Sequence, residues 1–205
     1  MKFHWDLDQN SEEWLDLRRG RISGSDAAKL LVKGKGEQGF GVGALSLARK
    51  IAEEVVTGRV RQSFSNKATD WGHEYEPEAI AYYEIESLTK VQRVGYVEKD
   101  QWRGVSPDGL ITEVPIYLEY KCLPVDHIAI VESNEPDPEH VKQVQWGLWC
   151  TQYPAAHLVY YHPWYPKKTR MKVFRIEPDK ELHGLYEDRS GDLITLTENI
   201  IKRLT

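Results

Sequence analysis

The chain has 205 residues, a formal net charge of −5 and 40 % hydrophobic residues, with 7 Trp and 11 Tyr. That size suits one domain with a sizeable core, and that apolar share excludes a disordered chain. No apolar run approaches the ~20 residues that cross a bilayer. The opening "MKFHWDLDQNSEEW" has no signal-peptide pattern, so the expectation is a soluble, cytoplasmic protein with no membrane partner. The acidic balance argues against a protein that coats nucleic acid, yet leaves room for an enzyme with a local basic channel. Cys122 and Cys150 form neither a C-x-x-C pair nor a disulfide framework and are expected to be buried and inert.

Taken in order, "SEEWLDLRRG" (11–20) predicts a helix started at Ser11 and stopped at Gly20. "SGSDAAKLLVKG" predicts a second, with Ser23 or Ser25 as its cap. The glycine-rich "GKGEQGFGVG" reads as a loop; no Gly-Lys-Ser/Thr follows, so it is no phosphate loop. "ALSLARKIAEEVVTG" predicts a helix closed by Gly58, and "RVRQSFSNKAT" a loop. In "DWGHEYEPEAIAYYEIESL", Trp71, Tyr75, Ala79 and Tyr83 recur every four residues, predicting a helix with Pro77 in its first turn or at a kink. From about residue 91 the period falls to two, and "VQRVGYVEKD", "WRGVSPDGLIT" and "IYLEYKC" predict three strands. A helix over "PDPEHVKQVQWGLWCTQY", strands over "AAHLVYYH" and "RMKVFRIE", and a last helix from about 179 to 203 complete the chain. The order predicts an α/β (α+β) single domain over 1–205: a mostly helical part (1–90), a mixed sheet flanked by helices (91–178) and a C-terminal helix (179–205).

Period two places Tyr117, Glu119 and Lys121 on one face of "IYLEYKC", with Ile116, Leu118, Tyr120 and Cys122 on the other. The strand before it ends in "SPDG", a turn carrying Asp108. Paired as neighbours, the two segments bring Asp108 toward Glu119. Adjacent carboxylates favour a divalent cation, and Mg²⁺ takes one or two carboxylates plus water and phosphate. A nearby lysine suits phosphodiester hydrolysis by orienting or deprotonating water. Residue types alone leave two readings: a solvated charged edge beside an ordinary turn, or a metal site.

Five blocks in order, "RRGRISGSDA", "WGHEYEPEA", "SPDGL", "LEYKC" and "VKQVQWGLW", resemble the phage lambda-type exonuclease family, the alkaline exonucleases of viral recombination within the PD-(D/E)xK nuclease superfamily. The resemblance spans roughly residues 14 to 178. It implies a restriction-endonuclease-like core and a 5′-to-3′ exonuclease that digests one strand of linear double-stranded DNA from 5′-phosphorylated ends. Mononucleotides and 3′ overhangs for recombination would result. It implies Asp108, Glu119 and the Tyr120 carbonyl as ligands of two Mg²⁺ ions, with Mn²⁺ as an allowed substitute, and Lys121 as the residue that positions or activates water. Glu76 would be a supporting carboxylate, Gln143 a glutamine closing the site, and Arg18, Ser25 and Ser106 the 5′-phosphate pocket. A ring-shaped homotrimer, a single-strand annealing partner and a phage or prophage origin in a bacterial host are implied as well.

Each residue has a plainer explanation beside that one. Glu76 sits among Glu74, Glu78 and Glu84 on an acidic helix. Val141, Val144, Leu148 and Trp149 form the apolar stripe of their helix; Gln145 falls on it, and Gln143 nearly opposite. Arg18, Arg19 and Arg21 would also suit a helix C-terminus for dipole reasons. "YYHPWYPKKTR" reads as a hairpin, with Lys167, Lys168 and Arg170 available to phosphates. The histidines show no ligand spacing; His157 is expected to pack in its strand, so no zinc is assigned. Where the resembling enzymes carry an apolar wedge, this chain has Thr69 and Asp70, and Phe64 is the candidate substitute. Two rivals remain: an endonuclease of the same superfamily, and a DNA-end-binding protein without catalysis.

Overall fold

Ser11 begins the first helix through its hydroxyl, which accepts the Trp14 backbone N–H at 3.1 Å. In the computed structural model, which describes residues 1–36, 39–61 and 67–205, a short strand β1 (Lys2–His4) precedes this helix, α1 (Glu12–Arg18). Gly20 turns the chain away with φ +69°, a conformation that only glycine adopts without strain, and its N–H donates to Glu54 at 2.9 Å. Ser23, rather than Ser25, is the cap of the second helical segment: it exchanges bonds with Asp26 across a 3₁₀ turn (Gly24–Asp26) that leads into α2 (Ala27–Leu31). Then come α3 (Val42–Thr57), closed by left-handed Gly58 as expected, and α4 (Lys67–Ser87). Because α4 already runs from Lys67, Pro77 lies inside it, not in its first turn, with its ring on the exposed side.

The expected strand "WRGVSPDGLIT" is two strands in different sheets. β3 (Gly104–Val105) pairs with β2 (Tyr96–Glu98), which pairs with β1, in a three-stranded antiparallel sheet. β4 (Gly109–Ile111) belongs to a four-stranded sheet ordered β4-β5-β6-β7, with β5 (Ile116–Cys122), β6 (Ala156–Tyr161) and β7 (Met171–Ile176). Ser106, Pro107 and Asp108 form the break; proline has no N–H to give a ladder. β5 and β6 are parallel and the other neighbours antiparallel, so this sheet is mixed. A helix α5 (His127–Ser133) that the sequence pattern does not announce follows β5, and α6 (Pro138–Thr151) makes the crossover to β6. The β6–β7 connection is not a tight hairpin: it holds one helical turn, α7 (Lys167–Arg170). α8 (Lys180–Leu204) ends the chain and packs on α2, α3 and α6.

Both faces of β5 are covered. Leu118, Tyr120 and Cys122 join Ala79, Ile80 and Tyr83 of α4 in one core, while Tyr117 joins Val144, Trp146 and Trp149 of α6 in another. The expected alternation therefore holds, but neither face is a solvated edge. α6 is buried all round from Val144 to Thr151, which a helix with one apolar stripe would not be. Gln145 sits in the core as its position predicts, accepting from the Asp179 N–H and donating to the Glu177 carbonyl. His157 packs in β6 with its ring 2.6 Å from the Tyr83 hydroxyl, as expected of a structural histidine. Both cysteines are buried and free, and burial pushes the Cys122 thiol up to about 12. Among the described residues no helix is long and apolar enough to cross a membrane.

Candidate active site

Sheet register sets the first part of the site. Gly109 pairs with Leu118, which brings Asp108, the residue just before β4, opposite the middle of β5. β4 has ended there, so the Tyr120 N–H meets no strand; it donates instead to Asp108 Oδ2 at 2.7 Å. One residue back, Glu119 points to the α6 side and is only 2 % exposed. Its Oε2 accepts from the Tyr117 hydroxyl at 2.9 Å; its Oε1 accepts from Lys121 Nζ at 2.9 Å and from Gln143 Nε2 at 2.5 Å. Lys121 Nζ also donates to Gln143 Oε1 at 2.9 Å. Gln143 lies opposite the stripe of α6, as the sequence pattern places it, yet meets Glu119 and Lys121 there rather than water.

Burial and mutual repulsion dominate the electrostatics. Desolvation, then the charges of Glu119 and Glu76, push Asp108 well above the usual carboxylate range. Glu76 of α4 is raised as well, by burial first and with Glu119 adding, while Arg93 and His73 oppose. Burial would lower the Lys121 ammonium, but Glu119 and Asp108 hold it above its ordinary value, so it remains a charged donor. Tyr117, fully buried, is pushed well above the phenolic range by desolvation and by Glu119, so it too stays a donor.

The second part of the site stands on α1. Trp14 and Arg18 are four residues apart and share a helix face, and the Arg18 guanidinium lies 4.0 Å above the Trp14 ring. No carboxylate of the described residues lies within ion-pair distance of that guanidinium; burial lowers its pKa, with Tyr96, Asp26 and Glu54 partly offsetting. The Trp14 indole N–H reaches both the Gly95 carbonyl at 3.0 Å and Ser106 Oγ at 2.9 Å. Ser25 is exposed on the 3₁₀ turn, 3.1 Å from the Ser23 hydroxyl. The two parts abut: a Cβ added at Gly24 would touch Gln143 Cγ at 3.4 Å.

A cleft of about 1230 Å³ joins them, lined by every candidate from the sequence: Arg18, Ser25, Glu76, Ser106, Asp108, Glu119, Tyr120, Lys121 and Gln143. Sequence reasoning missed Trp14 and Arg93, which also line it, and Tyr117 beneath it. Tyr117 could have been found from its place on the Glu119–Lys121 face, and Trp14 from its spacing to Arg18. Thr69 lines the cleft; Phe64 lies outside the described residues.

Whether these groups suit a divalent cation can be judged from their chemistry. Among the described residues no three His, Cys, Asp or Glu side chains form a metal-holding group. Mg²⁺ does not need one, since it keeps several waters and takes one or two carboxylates. A cation relieves buried carboxyls held up by a neighbouring carboxylate, and Asp108 and Glu76, both raised by burial and by the charge of Glu119, are in that position.

A family model described as "YqaJ-like viral recombinase domain" matches residues 13–154. An alkaline exonuclease (LHK-Exo) from Laribacter hongkongensis is similar at 28 % identity and a TM-score of 0.84, over 95 % of this chain and 96 % of that one. The same enzyme in complex with dAMP is similar at 29 % identity and a TM-score of 0.84, with the same coverage. A phage-related exonuclease from Haemophilus somnus 129PT shares the fold at 15 % identity and a TM-score of 0.73, over 93 % of this chain and 99 % of that one. No curated protein matches.

Proposed function

The chain belongs to the YqaJ-like viral recombinase domain family, and from that premise we propose that it is a metal-dependent exonuclease that digests one strand of linear double-stranded DNA from a 5′-phosphorylated end, 5′ to 3′. Membership, with the likeness to an alkaline exonuclease, implies a nuclease acting on DNA; strand polarity, end preference and products are our reading. The observation that carries it is the single cleft that holds a buried carboxylate–lysine cluster at one end and an anion-seeking guanidinium at the other. The dAMP bound by the Laribacter enzyme is a mononucleotide of the kind this reaction would release.

Asp108, Glu119 and the Tyr120 carbonyl would hold Mg²⁺, with Glu76 in support. The chemistry a bound divalent cation supplies is Lewis acidity toward a phosphoryl oxygen and toward water. Lys121, kept charged by its neighbours, donates rather than accepts; its part is to orient water and offset charge on the scissile phosphate. Gln143 bridges Lys121 and Glu119 and so holds both in register. Arg18, with Ser25 and Ser106, would seat the terminal phosphate. A ring trimer and an annealing partner would complete a recombination role.

Strand-resolved digestion of a linear duplex labelled at each end, with Mg²⁺ and with chelator, tests this. We expect loss from the 5′-phosphorylated strand ends only, in Mg²⁺ only, with closed circular duplex intact. Cutting of the circle would replace the proposal with an endonuclease.

A further inference from the structure

Trp14 is 7 % exposed, lines the cleft, and makes two contacts of opposite chemical sense. Its ring face carries the Arg18 guanidinium, and its N–H donates to Ser106 Oγ. We propose that Trp14 is the positioning residue that makes this site selective for a terminal phosphate, by holding Arg18 flat and turning the Ser106 hydroxyl outward as a donor. The inference rests on the proposed function above.

A serine hydroxyl has one proton and two lone pairs. With one lone pair taken by the indole N–H, Ser106 accepts on its protein side, and no described residue takes its proton. Because Ser106 lines the cleft, that proton is left to the cleft, where a phosphate oxygen is a better acceptor than a neutral 5′-hydroxyl. An aromatic face restrains a guanidinium without using its N–H groups, which stay free to form a fork toward an anion. A carboxylate partner would have restrained Arg18 too, but would have filled the place that the phosphate needs. Both acts come from one side chain because α1 is fixed at its start by Ser11 and because the Gly95 carbonyl, sharing the same N–H, sets the indole edge.

The test is the ratio of initial rates on linear duplex with 5′-phosphate against 5′-hydroxyl ends, for wild type, Trp14→Phe, Ser106→Ala and the double variant. The same ratio is read as binding of the two end types in chelator, by fluorescence anisotropy without cleavage. Wild type should prefer 5′-phosphate. Trp14→Phe keeps a ring under Arg18 but has no N–H, and should lower the preference by about three- to tenfold, the worth of one hydrogen bond. The double variant should fall no further than Ser106→Ala alone, since both remove the same bond. Should Trp14→Phe not fold, Trp14→Tyr poses the same question with a flat ring and no indole N–H. A wild-type ratio near one would overturn the terminal-phosphate reading, and this inference with it. A wild-type preference that the ring variants leave intact, or losses that add in the double variant, would overturn the role of Trp14 alone.

Discussion

At one end of the cleft, burial and the charge of Glu119 raise the affinity of Asp108 and Glu76 for protons, beside the ammonium of Lys121. At the other, Arg18 lies on an indole with no described carboxylate in ion-pair reach. Each end is charge-incomplete, in opposite senses. The carboxylate end has its hydrogen bonds in place before any ligand arrives: Glu119 alone accepts from Tyr117, Lys121 and Gln143. The guanidinium end holds its donors open. On the function proposed above, the contrast teaches how one cleft would be prepared for a cation and for a phosphate at once: hydrogen bonds already made where charge is concentrated, unspent donors where an anion would be caught.

The largest effect expected comes from breaking the carboxylate end. Lys121→Ala leaves Glu119 buried without its counter-charge and should cut the cleavage rate on linear duplex by about 10²–10³-fold or more, at saturating Mg²⁺. If wild type and variant leave linear duplex equally intact in Mg²⁺, the enzyme reading is wrong. Next is Arg18→Ala, which should lose about 10- to 100-fold on 5′-phosphorylated ends, the scale of a hydrogen bond to a charged group, and much less on 5′-hydroxyl ends. Equal losses on the two end types would erase the difference between the two ends of the cleft. Gln143→Ala should cost about tenfold, because Lys121 and Glu119 still meet directly; a loss as large as that of Lys121→Ala would make the bridge, not the pair, the critical unit.

The smallest effect lies outside both ends. His157, His162 and His183 are held below the ordinary histidine value, by burial first; Arg175 adds for His157, His127 for His162, and Asp179 works against burial for His183. In the unfolded chain they take up protons nearer pH ~6.5. Between the folded and unfolded values the unfolded chain binds more protons, so stability is complete above about pH 6.5 and declines below it. The thermal midpoint should therefore drop on acidification from about pH 7 to about pH 5. Substituting Gln for His157 should flatten part of that slope; an unchanged slope would remove His157 from the account.

Much of the carboxylate end was legible because it obeys local rules. Strand alternation puts Glu119 with Lys121, and a proline-containing turn puts Asp108 at a strand end. Gln143 could be placed on its helix but not understood there, because a helical wheel assumes one buried side while α6 is surrounded. Tyr117 could be placed on the Glu119–Lys121 face; only the tertiary structure shows it buried with its hydroxyl on Glu119. The separation into two sheets depends on β1 pairing with β2 across most of a hundred residues, as in the His4–Glu98 contact, and no local period reports that. α5 escaped notice because it starts after left-handed Asp126 with no side-chain cap.

The contact between Gly24 and Gln143 has a consequence for length. The turn that carries Ser25 packs directly on α6, whose Gln143 bonds Lys121. In an enzyme that works as proposed, the cleft is then a gauge of fixed jaw width: a strand seated by its terminal phosphate is offered for cutting a set number of bonds away.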